Sequence, residues 1–347
     1  MKSYKLPETR LDSYSFSARN SEENYVDQSM KQKVDHQKEL ISTIPRKSWT
    51  RAVHFTNPYE QVPRKYPRKI SRAYFKIREI LKDFDLEHSN LDNINTLHLC
   101  EGPGGFIEAI IELRKKQNKN INWTGITLKN ENNDPNLPDF MNEFDKNCIT
   151  YGIDNTGDLT NVENIKYLGV MFEQKGLAHL VTADGGFDVS NDHCSQEHQS
   201  YKLFLCQVVS AMECQILGGS FVMKIFDCYS NNMIDLLHIL SIHYSEVHIT
   251  KPYSSRPCNS EKYVVCKGFK GITQKERKLL CSLIENYENI TIMQKPNTEF
   301  IQCISKINNT LSSNQYNALI DTIGYATKEK WIKKPQDMSD QFIYYYL

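Results

Sequence analysis

Residues 97–106 read LHLCEGPGGF, an apolar run that predicts a β-strand, followed by a glycine-rich turn. The next residues, 105–116, carry apolar side chains at helical spacing and predict a helix. A glycine turn between a strand and a helix lets the backbone approach a ligand closely, although a tight turn alone explains the same residues. This stretch therefore predicts the start of an α/β domain with a ligand at its first turn.

Short apolar runs and amphipathic segments alternate outward from this stretch. This alternation predicts an α/β fold with a mainly parallel sheet, helices on both faces, and a ligand at the carboxyl ends of the strands. Helical patterns are also expected at about 27–42 and 71–84, and after residue 271 at 274–287, 300–311 and 314–323. The predicted strands are 96–100, 123–128, 179–183, 220–225, 246–250 and 262–267, with core helices at 201–216 and 234–242.

Composition excludes several classes of protein. The 347 residues contain 42 Lys+Arg and 42 Asp+Glu, so the zero formal charge excludes a protein that coats nucleic acid by bulk charge but allows a local basic groove. No apolar run is long enough to span a membrane, and we expect no secretory signal. None of the ten cysteines are spaced as C-x-x-C, so we expect free thiols in a reducing intracellular compartment and no metal site.

The glycine turn favours one class of cofactor. Its glycines fit neither the dinucleotide fingerprint nor a phosphate-binding loop, and Pro103 lacks a backbone donor. A cofactor without phosphates, such as S-adenosylmethionine, suits it better. Gly157 and Asp158 lie in a predicted loop, where the carboxylate is placed to accept a hydrogen bond from an adenine amino group, and Asp184 closes an apolar strand at the expected cofactor edge.

Four charged residues stand at the ends of predicted elements. A single residue of this kind is explained by a snorkelling side chain or a surface salt bridge, but four around one glycine turn point to a site. Burial of a lysine in an apolar strand is costly unless it is paired. The four residues are Lys76, Asp184, Lys224 and Glu261.

With these residues in place, the sequence resembles the FtsJ/RrmJ-type ribose 2′-O-methyltransferases, and more narrowly the type 1 cap-specific mRNA enzymes of eukaryotes and large DNA viruses. The resemblance covers about residues 51–271 and implies a Rossmann-like S-adenosylmethionine-dependent methyltransferase fold. It implies a methyltransferase domain at 71–271, a polar and basic RNA-binding extension at 1–70 and a helical extension at 272–347. The motifs that carry it are 57–60, 71–76, 100–106, 125–129, 157–160, 183–189, 222–227 and 251–268.

The resemblance also implies roles for individual residues. Lys76, Asp184, Lys224 and Glu261 form the catalytic tetrad, and Asn259 with Cys194, Ser195 and Gln196 touches capped RNA. Glu101 stands where the family has a small residue, and Ser71 where it has Asn. The expected cofactor residues are Ser71, Cys100, Glu101, Gly102, Pro103, Gly104, Gly105, Phe106, Asp158 and Leu159.

The expected chemistry is removal of a proton from a ribose 2′-hydroxyl in line with an activated methyl group. Lys224 is our candidate base, oriented by Asp184, because burial, Lys76 and the sulfonium would lower its pKa; Lys76 as the base remains the alternative. Phosphates are expected at Arg51 and Arg72 and along Arg64, Lys65, Arg68 and Lys69. A solvated charged linker also explains that run.

Three functions remain open at this point. The first is a cap 2′-O-methyltransferase acting on the first transcribed nucleotide, with capped mRNA and other capping components as partners. The second is an FtsJ-like ribosomal or transfer RNA methyltransferase, and the third is a subunit that binds caps without catalysis. The short chain suggests a minimal, viral version in the nucleus or cytoplasm, a viral factory or a virion.

Overall fold

The computed structural model describes residues 2–9, 16–18, 24–130, 140, 144–186, 196–287, 290–292 and 296–347. Its strands are β1 Lys2–Lys5, β2 Phe16–Ala18, β3 Asn93–Leu99, β4 Asn120–Ile126, β5 Ile149–Thr150, β6 Ala178–Ala183, β7 Gln215–Ile225, β8 Tyr244–Lys251, β9 Lys262–Phe269 and β10 Ile290–Ile292. Its helices are α1 Ser29–Ile41, α2 Arg46–Thr56, α3 Val62–Lys65, α4 Ala73–Asp83, α5 Gly105–Lys116, α6 Val162–Lys175, α7 Gln196–Cys214, α8 Asn231–His243, α9 Gln274–Glu285, α10 Thr298–Thr327 and α11 Ser339–Tyr346.

Eight strands form one sheet in the order β1-β8-β9-β7-β6-β3-β4-β5. The five strands from β7 to β5 in this order are mutually parallel, whereas β9 is antiparallel to both its neighbours and β1 is antiparallel to β8. The predicted α/β class with a mainly parallel sheet is therefore confirmed. β2 and β10 pair separately as a small antiparallel ribbon.

Alternate residues of the central strands face two different cores. In β7, Phe221 and Met223 pack with helices α6 to α10 on one side, while Val222 packs with α4, α5 and α11 on the other. The same alternation separates Val264 from Tyr263 and Val265 in β9. Both faces of the sheet are buried, which is why its strands read as continuous apolar runs.

Several helices begin at residues whose side chains cap the first turn. Asn161 accepts a hydrogen bond from the backbone N–H of Glu163 at the start of α6, and Ser230 does the same for Met233 at the start of α8. Thr273 forms a reciprocal capping box with Glu276 in α9. These caps satisfy donors that the first helical turn leaves without partners.

A layer made of α1, α2 and α10 covers one end of the sheet. Its apolar contacts include Val34, Val53 and Leu319. Lys38 of α1 lies 3.2 Å from a carboxylate oxygen of Asp227, which follows β7, and this contact ties the N-terminal helices to the sheet. Asp227 also pairs with Lys262 of β9 at 2.8 Å. We refer below to Lys38, Asp227 and Lys262 as the buried triad.

The structure corrects some predicted elements. The helices predicted at 300–311 and 314–323 form one continuous helix, α10, because Ser312 between them is buried and bonded to the Tyr229 hydroxyl at 2.9 Å. The strand β1 and the helices α2, α6 and α11 were not predicted. Among the described helices, none combines the length and the apolar character needed to cross a membrane.

Candidate active site

The glycine turn lies at the point where the sheet reverses its strand order. After β3 the chain runs through α5 to β4 on one side, and it returns to β6 on the other side of β3. The carboxyl ends of β3 and β6 therefore open a crevice, which is where open α/β sheets bind ligands. Cys100 to Gly105 lie at the first strand end, and Asp184 to Gly186 at the second.

Close packing around the turn requires its glycines. Gly104 has a left-handed φ of 110°, and a Cβ there would overlap the Phe144 ring. A Cβ at Gly105 would overlap the hydroxyl of Ser71, which therefore lies directly against the turn. The bond between Gly102 and Pro103 is cis. The predicted cofactor residues Ser71 and Gly102 to Gly105 thus share one surface.

Glu101 is buried at the start of the turn, whereas Cys100 before it is half-buried. The Glu101 side chain is buried and accepts a hydrogen bond from the Thr182 hydroxyl at 3.0 Å. Burial and the nearby Asp184 carboxylate raise its pKa well above the usual range, which favours the protonated form of Glu101. Phe106 is buried in the core next to α4. The buried side chains of Glu101 and Phe106 support the turn from below, and the cofactor contacts of residues 100 to 106 stay a prediction.

The loop carrying Asp158 packs tightly against the end of β4. A Cβ at Gly157 would overlap the carbonyl oxygen of Thr127, so only glycine fits. The Oδ1 atom of Asp158 accepts hydrogen bonds from the backbone N–H and the hydroxyl of Thr160, both at 2.8 Å. Leu159 is buried in the core. Asp158 is therefore held in one orientation at the crevice edge, and its contact with adenine stays a prediction.

Lys76 and Glu261 form the first ion pair of the site. Lys76 lies on α4 and Glu261 precedes β9, and their charged atoms are 2.7 Å apart. The second oxygen of Glu261 accepts a hydrogen bond from the Ser255 hydroxyl at 2.8 Å. Burial alone would raise the pKa of Glu261, but the positive charges of Lys76 and Lys224 outweigh it and lower the pKa to about 2. Glu261 is therefore ionised at neutral pH.

Lys224 and Asp184 form the second pair. The Nζ atom of Lys224 lies 3.5 Å from a carboxylate oxygen of Asp184 and donates a hydrogen bond to the Asp184 backbone carbonyl. The hydroxyl of Tyr263, which is opposite Lys224 in the β7–β9 pairing, donates to the Asp184 carboxylate at 3.2 Å. Both charged side chains keep a small exposed fraction, 14% for Lys224 and 19% for Asp184. The pair thus borders an open crevice.

The expected depression of the Lys224 pKa is wrong for this structure. Burial does favour the neutral amine, but the carboxylates of Asp184 and Glu261 favour the ammonium more strongly, and the pKa is raised above its ordinary value. The sequence predicted the burial and the neighbouring Lys76 but not how close two carboxylates would lie. Lys224 is therefore an ammonium that donates hydrogen bonds in this structure.

Two residues that the sequence did not indicate fix the backbone of the loop that carries Glu261. Glu79, one turn after Lys76 on α4, accepts hydrogen bonds from the backbone N–H groups of Tyr253 at 2.7 Å and Ser254 at 2.8 Å. Lys251 donates to the backbone carbonyl of Glu261 at 2.8 Å. Burial and the charge of Lys262 lower the pKa of Lys251 to about 7. The available signals were a glutamate on an otherwise apolar face of α4 and a lysine at the end of β8.

Comparison with known proteins agrees with this geometry. Residues 70–269 match the model of the FtsJ-like methyltransferases. The chain belongs to the FtsJ-like methyltransferase family. The resemblance inferred from the sequence is thereby confirmed, and the match contains the glycine turn and all four residues of the predicted tetrad.

Individual relatives of this chain within the FtsJ-like family include three mammalian enzymes. Mouse cap-specific mRNA (nucleoside-2′-O-)-methyltransferase 2 is 30% identical over 74% of this chain, and mouse cap-specific mRNA (nucleoside-2′-O-)-methyltransferase 1 is 34% identical over 76%. The type 2 enzyme of Pongo abelii is 32% identical over 70%. These matches cover 36%, 32% and 33% of the relatives, so the chain spans about a third of their length.

A pocket borders the predicted tetrad. It encloses 250 Å³ between the N-terminal helices and the loop before β9, and its lining includes Trp49, Gln196, Phe226, Asn259 and Glu261. Gln196 and Asn259 were both predicted to contact capped RNA, and the structure brings them together beside Glu261 of the predicted tetrad. Cys194 and Ser195 lie outside the described residues. The sequence analysis did not single out Trp49.

The predicted basic stretch of this FtsJ-like chain is largely paired within the protein. Arg72 lies 3.2 Å from the Glu60 carboxylate and donates to the Ser254 backbone carbonyl at 3.0 Å. Lys65 pairs with Asp337 at 3.0 Å, and Lys69 pairs with Glu112. These contacts explain part of the basic run as scaffold. Arg51, in contrast, is exposed on α2, and the RNA contacts of both arginines stay predictions.

No metal site is evident in the described part of the chain. Within those ranges, no three His, Cys, Asp or Glu side chains are arranged to hold a metal ion.

Proposed function

We propose that this protein transfers a methyl group from S-adenosylmethionine to the ribose 2′-hydroxyl of the first transcribed nucleotide of capped mRNA. The proposal rests on two ion pairs beside the glycine turn. They join Lys76 with Glu261 and Lys224 with Asp184. The relatives named as cap-specific 2′-O-methyltransferases support the choice of substrate.

The residues around the crevice fit S-adenosylmethionine. Gly104, Gly105 and Gly157 pack so closely against protein atoms that no Cβ fits, so backbone forms this part of the crevice. Asp158 would accept a hydrogen bond from adenine at the crevice edge, and Ser71, which lies against the turn, would hold the methionine end. When bound, S-adenosylmethionine supplies an electrophilic methyl group on a positively charged sulfur.

The tetrad would position the ribose and manage its proton. Lys76 and Glu261 are held together at 2.7 Å and would fix the ribose through hydrogen bonds. Lys224 begins as an ammonium and must lose its proton before it accepts one from the 2′-hydroxyl. Additional positive charge in the crevice would favour that loss. Asp184 and the Tyr263 hydroxyl then keep the amine aimed at the ribose oxygen.

The geometry favours an active enzyme over a cap-binding subunit without catalysis. Lys224 and Lys76 are each largely buried, which is unfavourable without a function or a complete set of partners. Both have carboxylate partners that still leave them open to the crevice.

Label transfer from S-adenosylmethionine tests the proposal. The substrates are capped, uncapped and structured ribosomal-type RNA, and nuclease digestion of the product shows which nucleotide carries the methyl group. We expect labelling of capped RNA at the first nucleotide and loss of labelling in Lys224→Ala. Equal labelling of uncapped RNA would overturn the cap assignment, and label at the second nucleotide would overturn the assignment to the first. Activity that survives Lys224→Ala would overturn the mechanism.

A further inference from the structure

The chain after α10 turns back and builds a groove against α2. Lys328 ends α10 in the left-handed region, with φ 63°, and the backbone N–H of Lys330 donates to the Gly324 carbonyl at 3.1 Å. A Cβ at Gly324 would lie only 2.7 Å from the Lys330 Cβ, so the returning segment rests directly on the helix. This reversal places Trp331 beside α2.

The groove has an aromatic floor and an exposed aromatic rim. The rings of Phe55 on α2 and Tyr325 on α10 stack with centroids 4.1 Å apart and planes 12° apart. Trp331 stands on the rim with 85% of its surface exposed. The groove encloses 510 Å³ and is lined by these rings together with Arg51, Lys328 and Lys330. A large exposed indole beside such a floor is a surface that favours a planar ligand.

Positive charge surrounds these rings. Residues 327–334 contain four lysines and one glutamate, and residues 46–51 add Arg46, Lys47 and Arg51. Lys330 pairs with Asp321 at 2.6 Å, but among the described residues no carboxylate forms an ion pair with Arg51 or Lys328. Exposed aromatics within a positively charged groove are the combination by which proteins hold single-stranded nucleic acid.

Helix α2 connects this groove to the tetrad. Trp49 of α2 lines the pocket that contains Asn259 and Glu261, while Arg51 and Phe55 of the same helix line the groove. The two cavities are therefore separated by about one helix diameter, roughly 10 Å. A strand whose first nucleotide lies at the tetrad needs only a few further nucleotides to reach Trp331.

We propose that this groove binds the single-stranded RNA that leads away from the methylated nucleotide. A base stacks on Trp331, and Arg51 and Lys328 contact the phosphates. The inference rests on the proposed function, because it assigns a path to the same RNA. It adds a site outside residues 70–269, in a segment that the FtsJ-like match does not include.

Substrate length provides the test. A capped dinucleotide and a capped, unstructured RNA of about a dozen nucleotides are compared in the full chain, since single-strand sites span roughly 4–16 nucleotides. Trp331→Ala should raise the KM for the longer RNA about tenfold, as expected for loss of one stacked base, with kcat unchanged. The dinucleotide should show no change, and Trp331→Phe should restore most of the affinity. Tyr344→Ala, at another exposed aromatic (92%), is the matched control and should have no effect.

Direct binding separates this inference from the proposed function. An uncapped oligouridine, without methyl donor, should bind the wild type more tightly than Trp331→Ala. Lys328→Ala should reduce the slope of log Kd against log salt by about 0.7, the value for one phosphate on a single strand.

Methylation of capped RNA with the same KM in Trp331→Ala and wild type at both lengths would overturn the inference and leave the proposed function intact. Binding of the oligouridine that depends on Trp331, without any methylation, would support the inference and overturn the proposed function. Binding of the oligouridine that is equal in Trp331→Ala and wild type would overturn the inference and assign the groove to a ligand other than RNA.

Discussion

The crevice and the buried triad place similar charges on neighbouring strands. The triad encloses its charged groups, whereas the crevice leaves them partly open. Ile225, the residue after Lys224, pairs across β7 and β9 with Lys262. Lys262 is 3% exposed and donates to the Asp227 carboxylate at 2.8 Å and to the backbone carbonyls of Ser260 at 2.9 Å and Phe226 at 3.0 Å. Lys224 keeps an open side, and its carboxylate partner is 3.5 Å away.

This difference distinguishes a structural cluster from a reactive one. In the buried triad every donor of Lys262 has an acceptor, and although burial opposes ionisation, Lys262 and Lys38 hold the pKa of Asp227 well below its usual range. In the crevice the charges are balanced but not enclosed, so a substrate can take the place of water. A complete set of partners stabilises the fold, whereas an incomplete set leaves groups available for chemistry.

The strongest expected effect is on catalysis. Lys224→Met should reduce kcat by about 10³ to 10⁴, because it removes the proposed proton acceptor, which would also position the ribose. Its melting temperature should shift by less than about 2 °C, since Lys224 is not enclosed. Single-turnover methylation and thermal unfolding measure the two effects. A variant that unfolds at a much lower temperature would place Lys224 with the structural residues.

The buried triad should behave in the opposite way. Asp227→Ala leaves Lys38 and Lys262 buried without their carboxylate, so we expect the free energy of unfolding to fall by about 3 to 5 kcal/mol. Replacing all three residues with apolar ones, as Lys38→Met, Asp227→Leu and Lys262→Met together, should recover most of this loss. Denaturant unfolding measures both variants. If Asp227→Ala is as stable as the wild type, the triad does not stabilise the fold.

The pH dependence of the reaction tests the electrostatics of the crevice. If Lys224 must lose its proton, kcat/KM should rise with pH. Asp184 and Glu261 raise the pKa of Lys224, so removing the negative charge in Asp184→Asn lowers that pKa and should move the rising limb to lower pH. Glu246→Gln, on the surface near Lys5, is the control. If kcat/KM of Asp184→Asn rises at the same pH as in the wild type, a group other than Lys224 is titrating.

The smallest effect concerns support of the first ion pair. Ser255→Ala removes the hydroxyl that donates to Glu261 at 2.8 Å and should cost about 1 kcal/mol, or roughly fivefold in kcat/KM. Ser305→Ala, whose hydroxyl bonds only within α10, is the matched control and should leave kcat/KM unchanged. Equal effects from both substitutions would mean that Ser255 contributes only general stability.

The sequence predicted those parts of the molecule that depend on local pattern. The helix after the glycine turn was predicted at 105–116 and is found at Gly105–Lys116, because the glycine turn marks its start and a polar run marks its end. The four residues of the predicted tetrad lie together, and their catalytic roles stay a prediction. The sequence placed Asp184 with Lys224 but did not predict the ion pair of Lys76 and Glu261, because these two residues are distant in sequence and meet only through the packing of α4.

Other features depend on distances that no local pattern encodes. The sign of the Lys224 pKa shift was wrong because burial and carboxylates act in opposite directions, and only the structure says which carboxylates are near. Trp331 was overlooked because its segment has no helical or strand periodicity. Its position follows from one left-handed residue, Lys328, that turns the chain back on α10.

The first strand has a consequence for how the molecule is made. Lys2 pairs with Lys251, so β1 cannot take its place in the sheet until the ribosome has produced nearly three quarters of the chain. At the usual rate of translation, about 5 to 20 residues per second, this interval is roughly 12 to 50 seconds. Throughout that time Leu6, which later joins the main core, has no finished surface to cover it. This segment of the newborn polypeptide is therefore expected to attract chaperones during that interval.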